Sequence, residues 1–344
     1  MPTLHRLGGA FTLLLCLAVP SVPAWGQDDE PLQAFRDGAA LTLLPADGGA
    51  RIELPGGRAA FVALPGRAEV SAFAAIDGGW VAAGSVPDAA GGRKLFLVRG
   101  NESASRPMAE PPGQEEKLRR GPVLLVDGGR LAGIAWLEGD GGRALSVCAS
   151  LWTGKRWQAP ERVSFPGPGT QTALAGAVLA DGSWLLAWSA FDGQDDEIVW
   201  ARRQGDAWQP VRRLTSNSVP DIVPALTATA DGGALIAWSR LEDTGGYQMR
   251  MARFARDGWQ GEHAAAALGS LYPTFLGPSR LLYLDAAAPR SWSVLDLDSQ
   301  GRVKAKASVA STLERPAVAF EGGQVRMRWP TAKRQAAAPL ERVP

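Results

Sequence analysis

One sequence unit is repeated along most of the chain, and its period constrains the fold more than any other feature. Each copy has an Asp-Gly turn, or a weaker equivalent, followed by an apolar run that usually ends on a bulky residue. The anchor positions at the ends of these runs are Gly84, Trp136, Trp188, Trp238, Tyr283 and Trp329. Successive anchors are separated by 52, 52, 50, 45 and 46 residues. A steady period of this length is typical of repeat architectures.

Within one unit the sequence predicts four short strands. In the clearest unit, residues 222–229 precede an Asp-Gly turn and residues 234–239 follow it. Residues 247–254 come after an acidic loop, and a last strand follows the turn at residues 257–259. Four antiparallel strands joined by tight turns make one blade of a propeller. We expect the bulky anchors to lie buried between stacked blades, where their large apolar area is most stabilising.

The number of units predicts the number of blades. Residues 67–311 contain about five complete units, and residues 313–330 supply half of another. Residues 39–65 hold two strands and a turn, so we expect them to share a sheet with 313–330, because such closure pairs strand edges that would otherwise be exposed. The predicted fold is all-β, a six-bladed β-propeller over residues 39–330 with N-terminal strands closing the last blade. A pair of β-sandwiches and a seven-bladed ring with one unit miscounted are the alternatives.

The two ends of the chain lie outside the repeat. Residues 1–26 have a short basic start, an apolar run over residues 11–19 and a small-residue site at residues 24–26, which is the layout of a secretory signal peptide. The apolar run is shorter than a bilayer span requires, so we expect cleavage after Gly26 and no retained membrane span. The other two terminal segments are interpreted as an N-terminal linker, residues 27–38, and a C-terminal tail, residues 331–344.

Removal of residues 1–26 changes the composition that bears on function. The full chain has 36 basic and 35 acidic residues, and the loss of Arg6 makes the two numbers equal. This balance argues against nucleic acid or an anionic membrane surface as a partner. Cys148 and His263 are then the single cysteine and the single histidine, which excludes an intrachain disulfide and a multi-histidine metal site. A Ser-His-Asp triad would have to use His263.

A second marker lies at the turn between the third and fourth strands of a unit. Trp157, Trp208 and Trp259 lie at successive spacings of 51 residues, and a glycine stands one to three positions before each. After Trp208 the sequence continues with Pro-Val-Arg-Arg-Leu-Thr at residues 210–215. This Gly-to-Trp turn resembles the BNR or Asp-box repeat of the sialidase superfamily. The resemblance covers about five units and implies a six-bladed sialidase-like propeller. The family box runs Ser-x-Asp-x-Gly-x-Thr-Trp, of which this chain keeps the Gly and the Trp.

Catalytic sialidases use residues that this chain largely lacks. They have an Arg-Ile-Pro motif, three arginines that bind a carboxylate, a tyrosine nucleophile paired with a glutamate, and an aspartate acid/base. A tyrosine suits an anionic sugar, because a carboxylate nucleophile would be repelled by it. Here Arg315-Pro316 lacks the isoleucine, and of the three tyrosines only Tyr272 is expected to face the channel axis. The resemblance therefore implies the fold of a sialidase. Because the catalytic motifs are missing, we predict that this protein has no sialidase activity.

Alignment of the units on their Asp-Gly turns places one residue per unit around one rim of the channel, at the start of each inner strand. These candidate ligand-binding residues are Glu69, Arg120, Gln171, Asp221, Tyr272 and Arg315. Two arginines, a tyrosine and several acids can bind an anionic or sugar-like ligand, because a guanidinium fork pairs well with a carboxylate. A solvated funnel of mixed charge, with no specific site, is the alternative interpretation.

Acidic loops between the second and third strands are expected on the same rim, at residues 138–140, 192–197 and 242–243. Calcium takes several oxygen ligands from a flexible loop, and residues 192–197 offer such oxygens. Their spacing matches no known calcium loop, and exposed hairpin tips are often acidic. We therefore predict no metal site, no catalytic residue and no cofactor.

These observations together predict an exported protein, secreted or periplasmic, that acts as a non-catalytic binding module or scaffold. The expected partner is a protein or glycan at the rim, with no nucleic acid and no membrane span after signal cleavage. One alternative is a sialidase-like glycoside hydrolase or lyase with a diverged active site at the channel mouth. Another is a subunit of a cell-envelope assembly. A converging set of arginine, tyrosine and acid around Tyr272 would favour the enzyme, and dependence on a partner would favour the assembly.

Overall fold

The structure is a computed structural model, and all the secondary structure that it describes is β-strand. The described residues are 30–36, 38–113, 117–140, 144–164, 170–256, 258–287, 289–310, 314–330 and 333–343. None of these segments forms a helix that is long and apolar enough to cross a membrane. The signal peptide predicted over residues 1–26 lies outside the described residues.

The first sheet is built entirely from the N-terminal segment. Its four antiparallel strands, in the order β1-β2-β3-β4, are β1 (Leu32–Arg36), β2 (Ala39–Ala46), β3 (Gly49–Glu53) and β4 (Ala59–Ala63). In β3, Ala50 and Ile52 are buried whereas Arg51 between them is exposed. This alternation is expected when successive side chains of a strand point to opposite faces and one face packs against a neighbour.

The second sheet has eight strands in two antiparallel runs. The first run is β5 (Glu69–Ile76), β6 (Gly79–Pro87), β7 (Arg93–Gly100) and β8 (Ser105–Met108). The second run is β9 (Leu118–Asp127), β10 (Arg130–Gly139), β11 (Ser146–Leu151) and β12 (Glu161–Arg162). A single parallel pair, Arg93 with Leu118, joins the two runs into one sheet.

Three further sheets follow the same antiparallel order. The third comprises β13 (Gln171–Val178), β14 (Trp184–Phe191), β15 (Asp196–Gln204), β16 (Ala207–Trp208) and β17 (Arg212–Arg213). The fourth comprises β18 (Asp221–Ala228), β19 (Ala234–Leu241), β20 (Tyr247–Ala255) and β21 (Gly258–Leu268). The fifth begins with β22 (Ser270–Phe275), β23 (Arg280–Asp285), β24 (Ser291–Leu297) and β25 (Val303–Ala310).

A last sheet of three strands ends the fold. It comprises β26 (Ala317–Glu321), β27 (Gln324–Trp329) and β28 (Arg334–Pro339). The final strand, β29 (Glu341–Arg342), returns to pair with β25 of the fifth sheet. Strands β28 and β29 lie in the segment interpreted above as a C-terminal tail, and β1 lies in the segment interpreted as a linker.

The Asp-Gly turns join the first two strands of a unit, as the repeat predicts. Asp181 Oδ1 accepts hydrogen bonds from the backbone N–H (2.9 Å) and the hydroxyl (2.6 Å) of Ser183. Gly182 between them has a φ of +78°. This left-handed conformation is costly for a residue with a Cβ, so the turn requires glycine at its second position.

The hydrophobic core is divided among the interfaces between successive sheets. The bulky anchors are almost fully buried: Trp136 (0 % exposed), Trp188 (1 %), Trp238 (0 %), Tyr283 (1 %) and Trp329 (1 %). Trp188 packs against Leu125 of the preceding sheet, and Trp238 packs against Leu185 of the sheet before its own. Stacked sheets with large aromatic anchors between them form a β-propeller. The predicted fold class is confirmed.

The predicted number of blades is wrong. Within the described residues, five sheets have four or more strands, and counting these as blades gives five and not six. The predicted closing sheet is also absent, because residues 39–65 pair within the first sheet and residues 317–329 pair with β28.

The physical reason is that each terminal segment has enough strands of its own. Strand β1 precedes residue 39 and completes the first sheet, and β28 supplies a third strand for the last sheet. Short hairpins satisfy backbone hydrogen bonds at a low loop-closure cost. The two ends of the chain therefore do not need to pair with each other in one sheet.

The first and last sheets nevertheless meet through side chains. The Gln33 side-chain amide donates to the Val318 carbonyl oxygen (2.9 Å), and Gln33 Oε1 accepts from the Val318 backbone N–H (2.8 Å). Glu53 pairs with Arg328 at a second point of contact. We call this contact between the first and last sheets, through residues 33, 53, 318 and 328, the seam.

Candidate functional site at the channel mouth

The inner strands start at one end of the propeller, which we call the channel mouth. Strands β1, β5, β9, β13, β18 and β22 are the first strands of successive units, and each lies beside the next. A register shift near the start of five of these strands marks a β-bulge. The bulge residues with positive φ are Gly121 (56°), Ala173 (50°), Val223 (57°) and Tyr272 (55°). Bulges of this kind change the direction in which a side chain points.

The bulges define which residues are equivalent from unit to unit. Two positions before each bulge residue lies a buried polar side chain: Arg119 (4 % exposed), Gln171 (3 %), Asp221 (0 %) and Ser270 (0 %). Of the predicted rim residues, Gln171 and Asp221 belong to this row, whereas Arg120 follows it and Tyr272 is itself a bulge residue. The sequence alignment used turns at the far end of each strand, and the distance from turn to bulge varies between units.

Gln171 and Asp221 have their polar atoms engaged inside the protein. Gln171 Nε2 donates to the Leu145 carbonyl oxygen (2.5 Å), and its Oε1 accepts from the Ser164 hydroxyl (2.6 Å). The Asp221 carboxylate accepts from Trp238 Nε1 (2.6 Å) and Arg240 Nε (2.8 Å). Both side chains therefore hold neighbouring strands together at the mouth.

Glu69 and Arg120 are more accessible. The Glu69 side chain is 44 % exposed and its carboxylate lies 3.0 Å from an Arg93 guanidinium nitrogen. Arg120 is partly buried and lies opposite Leu137 in the ladder between β9 and β10. Ligand binding by these two residues stays a prediction.

Tyr272 and Arg315 share a neighbour, Glu30, which the sequence analysis does not single out. Burial raises the pKa of Tyr272, and the charge of Glu30 raises it further. Burial lowers the pKa of Arg315, which is only 7 % exposed, and Glu30 opposes that shift. Burial also raises the pKa of Glu30, while Arg315 counteracts it. A tyrosine, an arginine and an acid therefore lie within electrostatic range of one another.

A cavity of about 430 Å³ that Glu30 lines lies between the first sheet and the start of β5. Its polar lining includes Glu30, Asp47 and Arg67, and its apolar lining includes Leu32 and Leu43. The volume falls within the range of small-ligand sites, and a mixed lining with few charged groups is typical of them. The sequence signals that could have indicated it are Glu30, just before β1, and Arg67, at the start of the first complete unit.

Another group of acids at the channel mouth has the geometry of a metal site. Among the described residues, Asp192, Asp195 and Glu197 each have a carboxylate oxygen within 4.8 Å of the others. They belong to the hairpin between β14 and β15, close to the start of β13, because Ala190 pairs with both Gln171 and Glu197. The predicted location of this acidic loop on the rim is therefore correct.

No protein-family model matches this sequence, and no curated protein sequence matches it either. Solved structures do share its fold. A puromycin-hydrolyzing peptidase from Mycobacterium tuberculosis has a TM-score of 0.55 at 13 % identity, over 91 % of this chain and 53 % of that one. TolB from Acinetobacter baumannii has a TM-score of 0.44 at 12 % identity, over 91 % and 79 %. An α-L-arabinofuranosidase from Lactobacillus brevis has a TM-score of 0.41 at 12 % identity, over 63 % and 83 %.

The likeness to the peptidase, whose TM-score exceeds 0.5, supports a shared fold and nothing more. At these identities it says nothing about activity, since propellers of one shape serve different functions. None of the three structures named here is a sialidase, so the resemblance to that superfamily stays a prediction.

Proposed function

We propose that this chain is a non-catalytic β-propeller that binds a protein or a glycan at the channel mouth. The observation that carries the proposal is the cavity lined by Glu30, Asp47 and Arg67, of which Glu30 also interacts electrostatically with Tyr272 and Arg315. A sugar ring or a peptide segment presents both polar groups and apolar faces, and the lining of this cavity offers partners for both.

The frame around the cavity supports binding. Gln171 and Asp221 are buried and hydrogen-bonded, so they keep the inner strands in position while nearby side chains contact a ligand. A rigid frame lowers the entropy lost when a ligand is bound. Aromatic and arginine side chains at the mouth, such as Tyr272 and Arg67, are the residue types that contribute most to binding energy.

A sialidase-like hydrolase is the second candidate, and one observation favours it. Glu30 beside Tyr272 is the combination of residue types that a tyrosine nucleophile uses in that superfamily. A nucleophile is activated by a lowered pKa or an adjacent general base. Here burial and the charge of Glu30 both raise the pKa of Tyr272, which disfavours the phenolate form that would attack. Binding is therefore the better supported function.

The binding proposal is tested on a glycan array and by capture from an extract of exported proteins. We expect Arg67→Ala to lose the binding of whichever partner the wild type retains. Arg156→Ala is the matched control, because Arg156 is an exposed arginine in the turn after β11, at the end away from the mouth. Binding that survives Arg67→Ala unchanged contradicts the proposed site.

The absence of catalysis is tested with fluorogenic glycosides, including sialosides and uronides. We expect no turnover by the wild type or by Tyr272→Phe. Turnover by the wild type that disappears in Tyr272→Phe would replace the binding proposal with the hydrolase.

We also propose that the protein is exported, with cleavage after Gly26. The layout of residues 1–26 supports this. Cys148 is consistent with an oxidising compartment, because burial raises the pKa of its thiol to about 12 and thereby suppresses the reactive thiolate. N-terminal sequencing of the exported protein is expected to begin at Gln27, and a cytoplasmic protein that keeps Met1 contradicts the proposal.

A further inference from the structure

The acidic hairpin between β14 and β15 contains carboxylates that are unusually close together. One oxygen from each of Asp192, Asp195 and Glu197 lies within 4.8 Å of the other two. The hairpin is held in shape by Asp192, whose Oδ1 accepts from the backbone N–H groups of Gln194 (2.9 Å) and Asp195 (3.3 Å). The carboxylates are thus brought together by the local backbone.

Two of these carboxylates are buried and incompletely paired. Asp195 is 7 % exposed and Glu197 is 1 % exposed. Both Asp195 oxygens and Glu197 Oε2 have no hydrogen-bond donor among the described residues. Glu197 Oε1 accepts from the backbone N–H of Asn217 (2.7 Å), and the Thr215 hydroxyl also donates to this carboxylate. A buried carboxylate without partners is strongly unfavourable, so these three oxygens call for a ligand that supplies positive charge.

The neighbouring arginines balance only part of the charge of this cluster. Arg213 pairs with Asp192 Oδ2 (2.7 Å), which is a member of the cluster, and Arg240 pairs with Asp221 outside it (2.8 Å). Asp195 and Glu197 form no ion pair within the described part of the chain. Two of the three carboxylates are therefore left without a paired cation.

We propose that Asp192, Asp195 and Glu197 form a binding site for a divalent cation, with calcium preferred over magnesium. All donors are carboxylate oxygens, which suits hard cations and not zinc or copper. Three carboxylates on one hairpin suit calcium, which accepts many carboxylate ligands in a flexible geometry, whereas magnesium keeps several of its waters and usually takes one or two carboxylates. The structure thus argues against the expectation, stated from the sequence, that the chain has no metal site.

A cation here would stabilise the interface between two sheets. Glu197 belongs to β15 of the third sheet, while Asn217, which donates to it, also donates through Nδ2 to Asp221 of the fourth sheet (2.6 Å). The ion would hold the hairpin in place beside this link. Its role does not depend on the proposed ligand cavity, which lies between the first sheet and β5.

The test is calorimetric titration of chelator-treated full-length protein with calcium chloride and, separately, with magnesium chloride at constant ionic strength. We expect one calcium ion to bind per chain, and the thermal unfolding midpoint to rise with calcium. Asp195→Asn and Glu197→Gln each abolish this response. Without calcium, Asp195→Asn is at least as stable as the wild type, since it removes an unpaired buried charge.

Asp243→Asn is the matched control, because Asp243 is an exposed acid in the equivalent hairpin of the next sheet, between β19 and β20. It keeps the full calcium response. A wild type that binds no calcium overturns the proposal, as does an equal response in all the variants. Magnesium binding as tight as calcium binding overturns the preference. If a variant fails to fold, the wild-type titration alone still decides whether the site exists.

Discussion

At the scale of single residues, two buried anchor indoles, Trp136 and Trp238, donate to acids that also pair with arginine. Trp238 Nε1 donates to Asp221 Oδ1 (2.6 Å), and the same carboxylate accepts from Arg240 Nε (2.8 Å). In the second sheet the acid and the arginine have exchanged strands, and the acid again accepts from the anchor indole. The members of that group are Trp136, Arg119 and Glu138. An ion pair across two strands has the same geometry whichever strand carries the acid, so this similarity is invisible in an alignment.

The first prediction concerns this buried group. Asp221→Ala is expected to lower the free energy of unfolding by about 3 kcal/mol, because Arg240 and the Trp238 indole lose a fully buried acceptor. Arg240 keeps one bond to Glu262 (2.7 Å), which limits the loss. Chemical denaturation measures the change. The double variant Asp221→Ala/Arg240→Met is expected to be more stable than Asp221→Ala alone, since it also removes the guanidinium that has lost its partner. Equal stabilities of the two variants would show that the Asp221–Arg240 ion pair does not contribute to the loss.

At the scale of strands and sheets, glycines let neighbouring sheets approach closely. A Cβ built on Gly133 in β10 would lie 2.1 Å from a ring carbon of Trp184 in β14 and 2.7 Å from the Ser150 carbonyl oxygen. Trp184 is 4 % exposed and belongs to the cluster between the second and third sheets. The absence of a side chain at residue 133 is therefore what allows the tryptophan of the next sheet to pack there.

The second prediction follows from this contact. Gly133→Ala is expected to lower the free energy of unfolding by roughly 1–3 kcal/mol, because overpacking forces a buried aromatic side chain or the backbone to move. Thermal and chemical denaturation measure the change. The matched control is Gly258→Ala, at a strand position where a new Cβ meets no atom within 4 Å. A similar loss in both variants would mean that the effect does not come from the packing of Trp184, since replacing glycine by alanine otherwise lowers the entropy of the unfolded chain and stabilises the fold.

At the scale of the whole molecule, the seam replaces the shared sheet that the sequence predicted. The Gln33 side chain makes two hydrogen bonds with Val318, 285 residues away, much as a neighbouring strand would. Phe35 and Phe320 lie beside it with ring centroids 6.1 Å apart. The ends of the chain are therefore connected by side-chain contacts and not by a continuous backbone ladder.

The third prediction tests the seam. Gln33→Ala is expected to lower the free energy of unfolding by about 2 kcal/mol, because the Val318 N–H and C=O lose their side-chain partner and Val318 is almost fully buried. Gln300→Ala, at an exposed turn position, is expected to change stability little. Hydrogen exchange of the Val318 amide should become faster in Gln33→Ala. Unchanged exchange would mean that the sheets are held together by other contacts.

Part of the candidate site was predictable and part was not. The rim location of the acidic hairpin follows from counting strands, since every second turn of an antiparallel blade returns to the same end. The convergence of Glu30, Tyr272 and Arg315 brings together residues more than 240 positions apart, and no local pattern reports it. The row of buried polar residues was displaced in the alignment because each bulge adds a residue whose position the turns do not reveal.

The sequence by itself determined the repeat, the all-β class and the burial of the tryptophan anchors. These properties depend on local periodicity and on turn chemistry, which neighbouring residues specify. Only the tertiary structure decided how many blades form and which strands the two ends of the chain join. It also decided which acids, among them Asp195 and Glu197, are buried without partners. Pairing between distant strands depends on which segments become neighbours in space, and so does the burial of a charge. A single additional strand or hydrogen bond changes which segments pair and which charges are buried.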